Sequence, residues 1–169
     1  MLETIREYGL ECLSTCGEEE ATRQAHATYY LHLAEEAEIH LFGAGQVHWS
    51  KRLEREQDNL RAALSWSLEQ GDKARRETAL RLTGTLAHFS FMRWSVSEGR
   101  AWLDRALANS EGISPSVRAK ALVNAGWLAY LQGESERAEA LCQQSLALQR
   151  EVSDIRGMAW SLYHLERSS

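Results

Sequence analysis

Apolar residues return along this chain at helical intervals, and short glycine-bearing breaks divide them into segments. Leu2, Ile5, Leu10 and Leu13 fall near a 3.6-residue period with Gly17 as a stop, which predicts a first helix over residues 2–14. From Glu18 to about Phe42, acidic residues open a second segment, where they suit the positive end of a helix. Tyr29, Tyr30, Leu33, Ala34 and Ala37 form its apolar stripe, and Gly43-Ala44-Gly45 closes it. A third helix is predicted from Gln46 to Gln70. It carries Trp49, Leu53, Leu60, Ala63, Leu64 and Leu68 at three- and four-residue steps and ends at Gly71-Asp72.

Beyond Asp72 the pattern repeats itself. Residues 95–109 align without gaps on 134–148, pairing Gly99 with Ala138, Leu103 with Cys142, Ala106 with Ser145 and Leu107 with Leu146. Each of these helices follows another, Thr78–Met92 and Ser116–Gln132, so two helical hairpins are expected, the second turning at Gly133. The offset of 39 residues lies between the ~34 of a tetratricopeptide repeat and the ~40 of HEAT and armadillo repeats. Leu122, Gly126, Gly133, Ala138 and Ser145 resemble the tetratricopeptide pattern of a bulky residue, small residues for close helix contact and a turn glycine. Residues 158–166 look like the first helix of a third repeat whose second helix is missing. The expected fold is therefore all-α, with antiparallel helical hairpins stacked as a right-handed superhelix, a tetratricopeptide-like α-solenoid. Residues 1–72 form an N-terminal helical segment packing onto repeats in 73–169. A half hairpin leaves an apolar face without its partner, so the chain is expected to be cut from a longer protein.

Composition agrees with helices: hydrophobic residues make up 44% and charged residues 25%, and Pro115 is the single proline. Net charge is −5, and it is uneven. Residues 1–72 hold six basic and fourteen acidic side chains, whereas 73–169 hold thirteen and ten. The basic residues are interleaved with acids rather than gathered into a stripe, which argues against direct nucleic-acid contact. Three cysteines at unpaired spacings, with no apolar leader, point to a reducing cytoplasm. The apolar stretch 121–131 falls short of the ~20 residues a membrane span needs.

Three stretches, MLETIREYGLECL, RLEREQDNLRAALSWSLEQGD (52–72) and SEGRAWLDRALA (97–108), resemble a particular family. They look like the C-terminal region of large bacterial signal-transduction ATPases with tetratricopeptide repeats, the LuxR-type, AfsR-like and MalT-like transcriptional regulators. Gly9, Cys12 and Trp94 depart from that pattern. The resemblance implies a sensor role, in which the repeats bind an inducer or partner protein and report to an ATPase. No nucleotide site is expected in this stretch itself. G-x-x-x-x-G-K-[ST] is absent, and Gly43-Ala44-Gly45 lacks the following Lys and the preceding strand.

The first helix of each hairpin lines the concave side of such a stack. In repeat register, Arg81, His88 and Phe91 fall on that side of the first hairpin, with Gly84 and Met92. Lys120, Trp127 and Tyr130 follow in the second, with Val123 and Leu131, and Trp160 and Tyr163 continue the line with Arg167. Rings offer broad apolar contact and Arg or Lys can pair with carboxylates, so the expected partner is a protein or peptide, or a small inducer. Exposed Trp160 and Tyr163 would also support a homodimer.

Catalytic chemistry finds no anchor. His26 and His32 lie six apart and do not share a helical face. Cys12 and Cys16 share one, but two ligands make no metal site, and they are read as buried small apolar residues, with redox sensing as the alternative, while Cys142 takes a core packing position in the repeat. Glu54, Glu56 and Asp58 with Arg52, Arg55 and Arg61 read as ion pairs on a solvated helix face. No enzyme activity, cofactor or metal is expected. The function expected is a protein- or ligand-sensing repeat domain of a transcriptional regulator of the signal-transduction ATPase type. A stand-alone repeat adaptor that scaffolds a complex is the alternative.

Overall fold

A computed structural model describes residues 3–69 and 71–168. Within them the backbone forms α1 (Glu3–Cys16), α2 (Glu19–His40), α3 (Gln46–Arg55), α4 (Gln57–Ser67) and α5 (Lys73–Arg93). These are followed by α6 (Val96–Ala108), α7 (Pro115–Leu131), α8 (Ser135–Glu151) and α9 (Ile155–Ser168), and the described residues contain no strand. Leu2 and Gln70, and the side chains of Ile5 and Leu10, lie outside the described residues.

The helix boundaries have local causes. The Asp72 carboxylate accepts from Arg75 N (2.9 Å) and the Ser95 hydroxyl from Glu98 N (3.4 Å), each satisfying a free amide at a helix start. Pro115 opens α7, where its missing N–H costs nothing. Gly133, at φ +80°, supplies the left-handed residue that turns α7 into α8.

The helices stack as a solenoid. Helices α5 and α6 form one hairpin and α7 and α8 the next; α2 pairs with α4 in the same manner. Helices α2, α5, α7 and α9 pack side by side in that order as the inner row, with α4, α6 and α8 outside. One apolar core joins Tyr30, Leu33, Leu53, Leu64, Leu82 and Phe89 across α2 to α5. A second joins Leu80, Leu103, Ile113, Ala121, Ala125 and Leu128 across α5 to α7. Each fully buried Leu contributes about 1.5–3 kcal/mol of transfer free energy, so the interior holds the layers together without a disulfide. Small residues let the hairpins close: a Cβ on Gly126 would lie 2.7 Å from Cys142 Sγ and 3.1 Å from the Ala138 carbonyl.

Polar clamps supplement the core. The Arg75 guanidinium, 9% exposed, donates to the Trp66 carbonyl from Nε (2.8 Å), pairs with Glu69 (2.8 Å) and Glu20 (3.3 Å), and sits 4.0 Å over the Trp66 ring. It thereby ties α2, α4 and α5. Arg100 likewise joins α6 to the α7–α8 turn through Gln132 (2.9 Å) and Glu134 (3.0 Å).

Several expectations are corrected. The helix predicted from 46 to 70 is interrupted at Glu56, whose carboxylate accepts from Tyr30 Oη (2.7 Å) and Asn59 Nδ2 (2.9 Å). No Gly or Pro marks the break; its partner is 26 residues away. The anticipated ion pairs along this stretch are re-partnered. Arg61 forms a bidentate pair with Glu98 of α6 at 3.0 Å, and Arg52 lies over the Trp49 ring. Cys12 and Cys16 are exposed, not buried, on α1, which packs on α2; Cys142 is buried, and burial pushes its thiol up to about 11. Tyr29 leaves the buried stripe and is exposed.

Candidate functional site

The inner helices present their side chains in two tiers. One tier is made of rings: Phe42 just beyond α2, His88 on α5, Trp127 on α7 and Trp160 on α9. Phe42 and His88 lie 4.3 Å apart, His88 and Trp127 stack at 5.5 Å and 18°, and His164 bridges Trp127 (6.2 Å) to Trp160 (4.7 Å). One ring per layer thus forms a continuous apolar wall. The other tier is polar. Lys120 Nζ donates to Glu38 Oε2 (2.6 Å) and Thr85 Oγ1 (3.1 Å), and Arg81 pairs with Glu35 (2.7 Å).

Between the tiers lies a groove of about 900 Å³. Its wall includes Phe42, His88, Lys120, Trp127, Trp160 and Tyr163, with Gly84 of α5 at its base, where α7 approaches closely at Ala121. Of the residues anticipated from register, His88, Lys120, Trp127, Trp160 and Tyr163 come together here. Arg81 lines a smaller adjoining recess with Glu35 and Lys120. Phe91 stands at the rim, 46% exposed and edge-on to Trp127 at 5.3 Å, while Tyr130, half-buried, meets the Arg167 guanidinium at 5.5 Å.

Burial holds His88 below its ordinary value, and burial together with the Arg167 charge lowers His164 to about 4. Both rings are therefore neutral near pH 7 and act as apolar surface. Among the described residues no group of three His, Cys, Asp or Glu side chains could hold a metal ion, and no helix is long and apolar enough to cross a membrane.

Register reasoning missed part of the site. Glu38, Ile39 and Phe42 of the α2 layer form one whole wall, and buried Gln149 of α8 reaches the floor. The signal for α2 was present: exposed Ile39 and Phe42 at the end of a long helix stand off its buried stripe.

Layered hairpins and an inner face that carries a broad, ring-lined groove define a helical solenoid. The sequence is 35% identical over 162 residues, covering 91% of this chain, to candidate HTH-type transcriptional regulators of Mycobacterium bovis and Mycobacterium tuberculosis. The chain spans 18% of the length of these relatives. No protein-family model matches the sequence, and no solved structure matches it.

Proposed function

We propose that this chain is a sensor segment of a bacterial transcriptional regulator, a tetratricopeptide-like repeat array of the signal-transduction ATPase type, and that it acts by binding rather than by catalysis. The observation that carries the proposal is the ring-lined groove, to which each inner helix or its immediate end contributes an aromatic residue. A groove of this size is ordinary for a binding site, and its rings are held by packing rather than by loops. Similarity along most of the chain to candidate HTH-type regulators supports the regulatory setting. Contact with DNA is assigned to another part of such a protein, because basic residues here are interleaved with acids, and Arg61, Arg81 and Lys120 are paired with carboxylates of neighbouring helices.

The partner is a protein, a peptide or a small inducer, bound on the inner face, and the bound state is reported along the stack to an ATPase. Pull-down with the nucleotide-binding module of the parent protein, and titration with candidate inducers, test this. Binding that weakens in Trp160→Ala and Phe42→Ala is expected. Unchanged affinity in both variants, or no binding in either assay, would overturn it.

A further inference from the structure

The groove's polar tier carries more information than its size. Glu38 is neutralised by Lys120 at 2.6 Å, and Lys120 is in turn occupied by Glu38 and Thr85. Asp154 is occupied as the cap of α9, its Oδ1 accepting from Gly157 N at 2.9 Å. Asn124 gives its amide hydrogen to the Gly84 carbonyl at 2.9 Å. Two donor groups at this end are not taken up by carboxylates. Arg156, in the first turn of α9, lines the groove, is exposed and forms no ion pair with any described residue. Gln149, 2% exposed, spends its Oε1 on Ser161 Oγ (2.8 Å), which leaves Nε2 as its donor end. The opposite tier offers rings without charge.

We infer that the groove takes a small amphipathic anion, with a flat apolar body against Trp127, His88 and Trp160 and an oxyanion head against Arg156 and Gln149. This rests on the proposal that the groove is a binding site and adds the chemistry of its occupant. About 900 Å³ falls inside the roughly 300–1,000 Å³ typical of small-molecule pockets, which are mostly apolar with a few placed polar groups. Glu38 is paired with Lys120 and Asp154 is engaged through Oδ1 as a helix cap, whereas Arg156 has no ion-pair partner among the described residues. The guanidinium fork matches a carboxylate or phosphate in a way an ammonium does not.

A matched trio of probes isolates the head group: 2-naphthoate, 2-naphthalenemethanol and 2-naphthylmethylamine share one ring system and differ in charge. Titration of the full chain is followed through the indole N–H resonances of Trp127 and Trp160, assigned by Trp→Phe at each position. Naphthoate should bind roughly three- to fivefold more tightly than the alcohol, with the amine weakest. Arg156→Gln should remove that advantage and Arg156→Glu should transfer it to the amine, while Trp160→Ala weakens all three. Equal binding by the three probes, or preference for the amine in the unmodified protein, overturns the oxyanion assignment but leaves the groove a binding site. If no probe perturbs either indole, both the assignment and the groove reading beneath it fall.

Discussion

The His88 imidazole and the Trp127 indole stack with centroids 5.5 Å apart, although they belong to helices of successive hairpins. Trp127 also meets Phe91 edge-on and packs against the second core. Trp127→Ala should therefore cost stability as well as binding surface, about 3 kcal/mol in urea unfolding. Phe42→Ala, at a position 64% exposed, should change stability by less than about 0.5 kcal/mol. Equal losses in the two variants would contradict the packing described.

Gly126 is a close-contact glycine. In a helix interior Gly→Ala is ordinarily favourable by about 1 kcal/mol, but here the added Cβ meets Cys142 Sγ at 2.7 Å. Gly126→Ala is expected to destabilise by about 1–3 kcal/mol. Cys142→Ala in the same chain should recover part of that loss, and the non-additivity of the double-mutant cycle measures the contact.

Arg75→Ala removes a nearly buried cation and strands its partners, above all the Trp66 carbonyl. A loss of about 3 kcal/mol is expected. Arg75→Lys should restore little of it, because an ammonium cannot donate as a fork or lie flat over the Trp66 ring. Thermal unfolding of the two variants side by side decides this.

His164 sets a pH dependence. Its folded value of about 4 lies below the ordinary 6.5, and burial is the first cause. The unfolded chain therefore binds the proton more readily, and stability falls as pH drops from about 6.5 toward 4. His88 acts in the same direction. In His164→Gln the slope of unfolding free energy between pH 7 and 4.5 should be shallower than in the unmodified protein. An unchanged slope would contradict the burial of this ring.

Cys12 and Cys16 are exposed while Cys142 is buried with a raised thiol. A thiol-specific colorimetric reagent at pH 8 should titrate two groups at once in the native protein and the third only after denaturant is added. Immediate reaction of all three would show that the α7–α8 contact is open.

The hairpins were legible in the sequence because their causes are local. Gly133, Pro115, Asp72 and the alternation of small and bulky residues each act within a few positions. The interruption at Glu56 was not, because it coincides with a bond from Tyr30 in another helix, and nothing in RLEREQDN hints at it. The same applies to Arg61, whose partner Glu98 is 37 residues away. Exposure of Cys12 and Cys16 depends on how many neighbours α1 has, which spacing does not encode. At the groove, register found the rings of α5, α7 and α9 because the repeat aligns them. It missed the α2 wall because no repeat was visible before residue 73, and it missed Gln149 because a polar side chain reaches the interior only where Ser161 donates to it.

The reach of Lys120 has a consequence for how the array behaves as a body. Its ammonium passes over α5 to hold Glu38 on α2, joining helices that are not adjacent in the stack. Arrays whose units feel only their nearest neighbours can lose an end unit while the rest stays folded. Here, peeling α2 away would also withdraw a counter-ion from α7, so the loss of an end unit carries a small cost, up to about 1 kcal/mol, that reaches past its nearest neighbour.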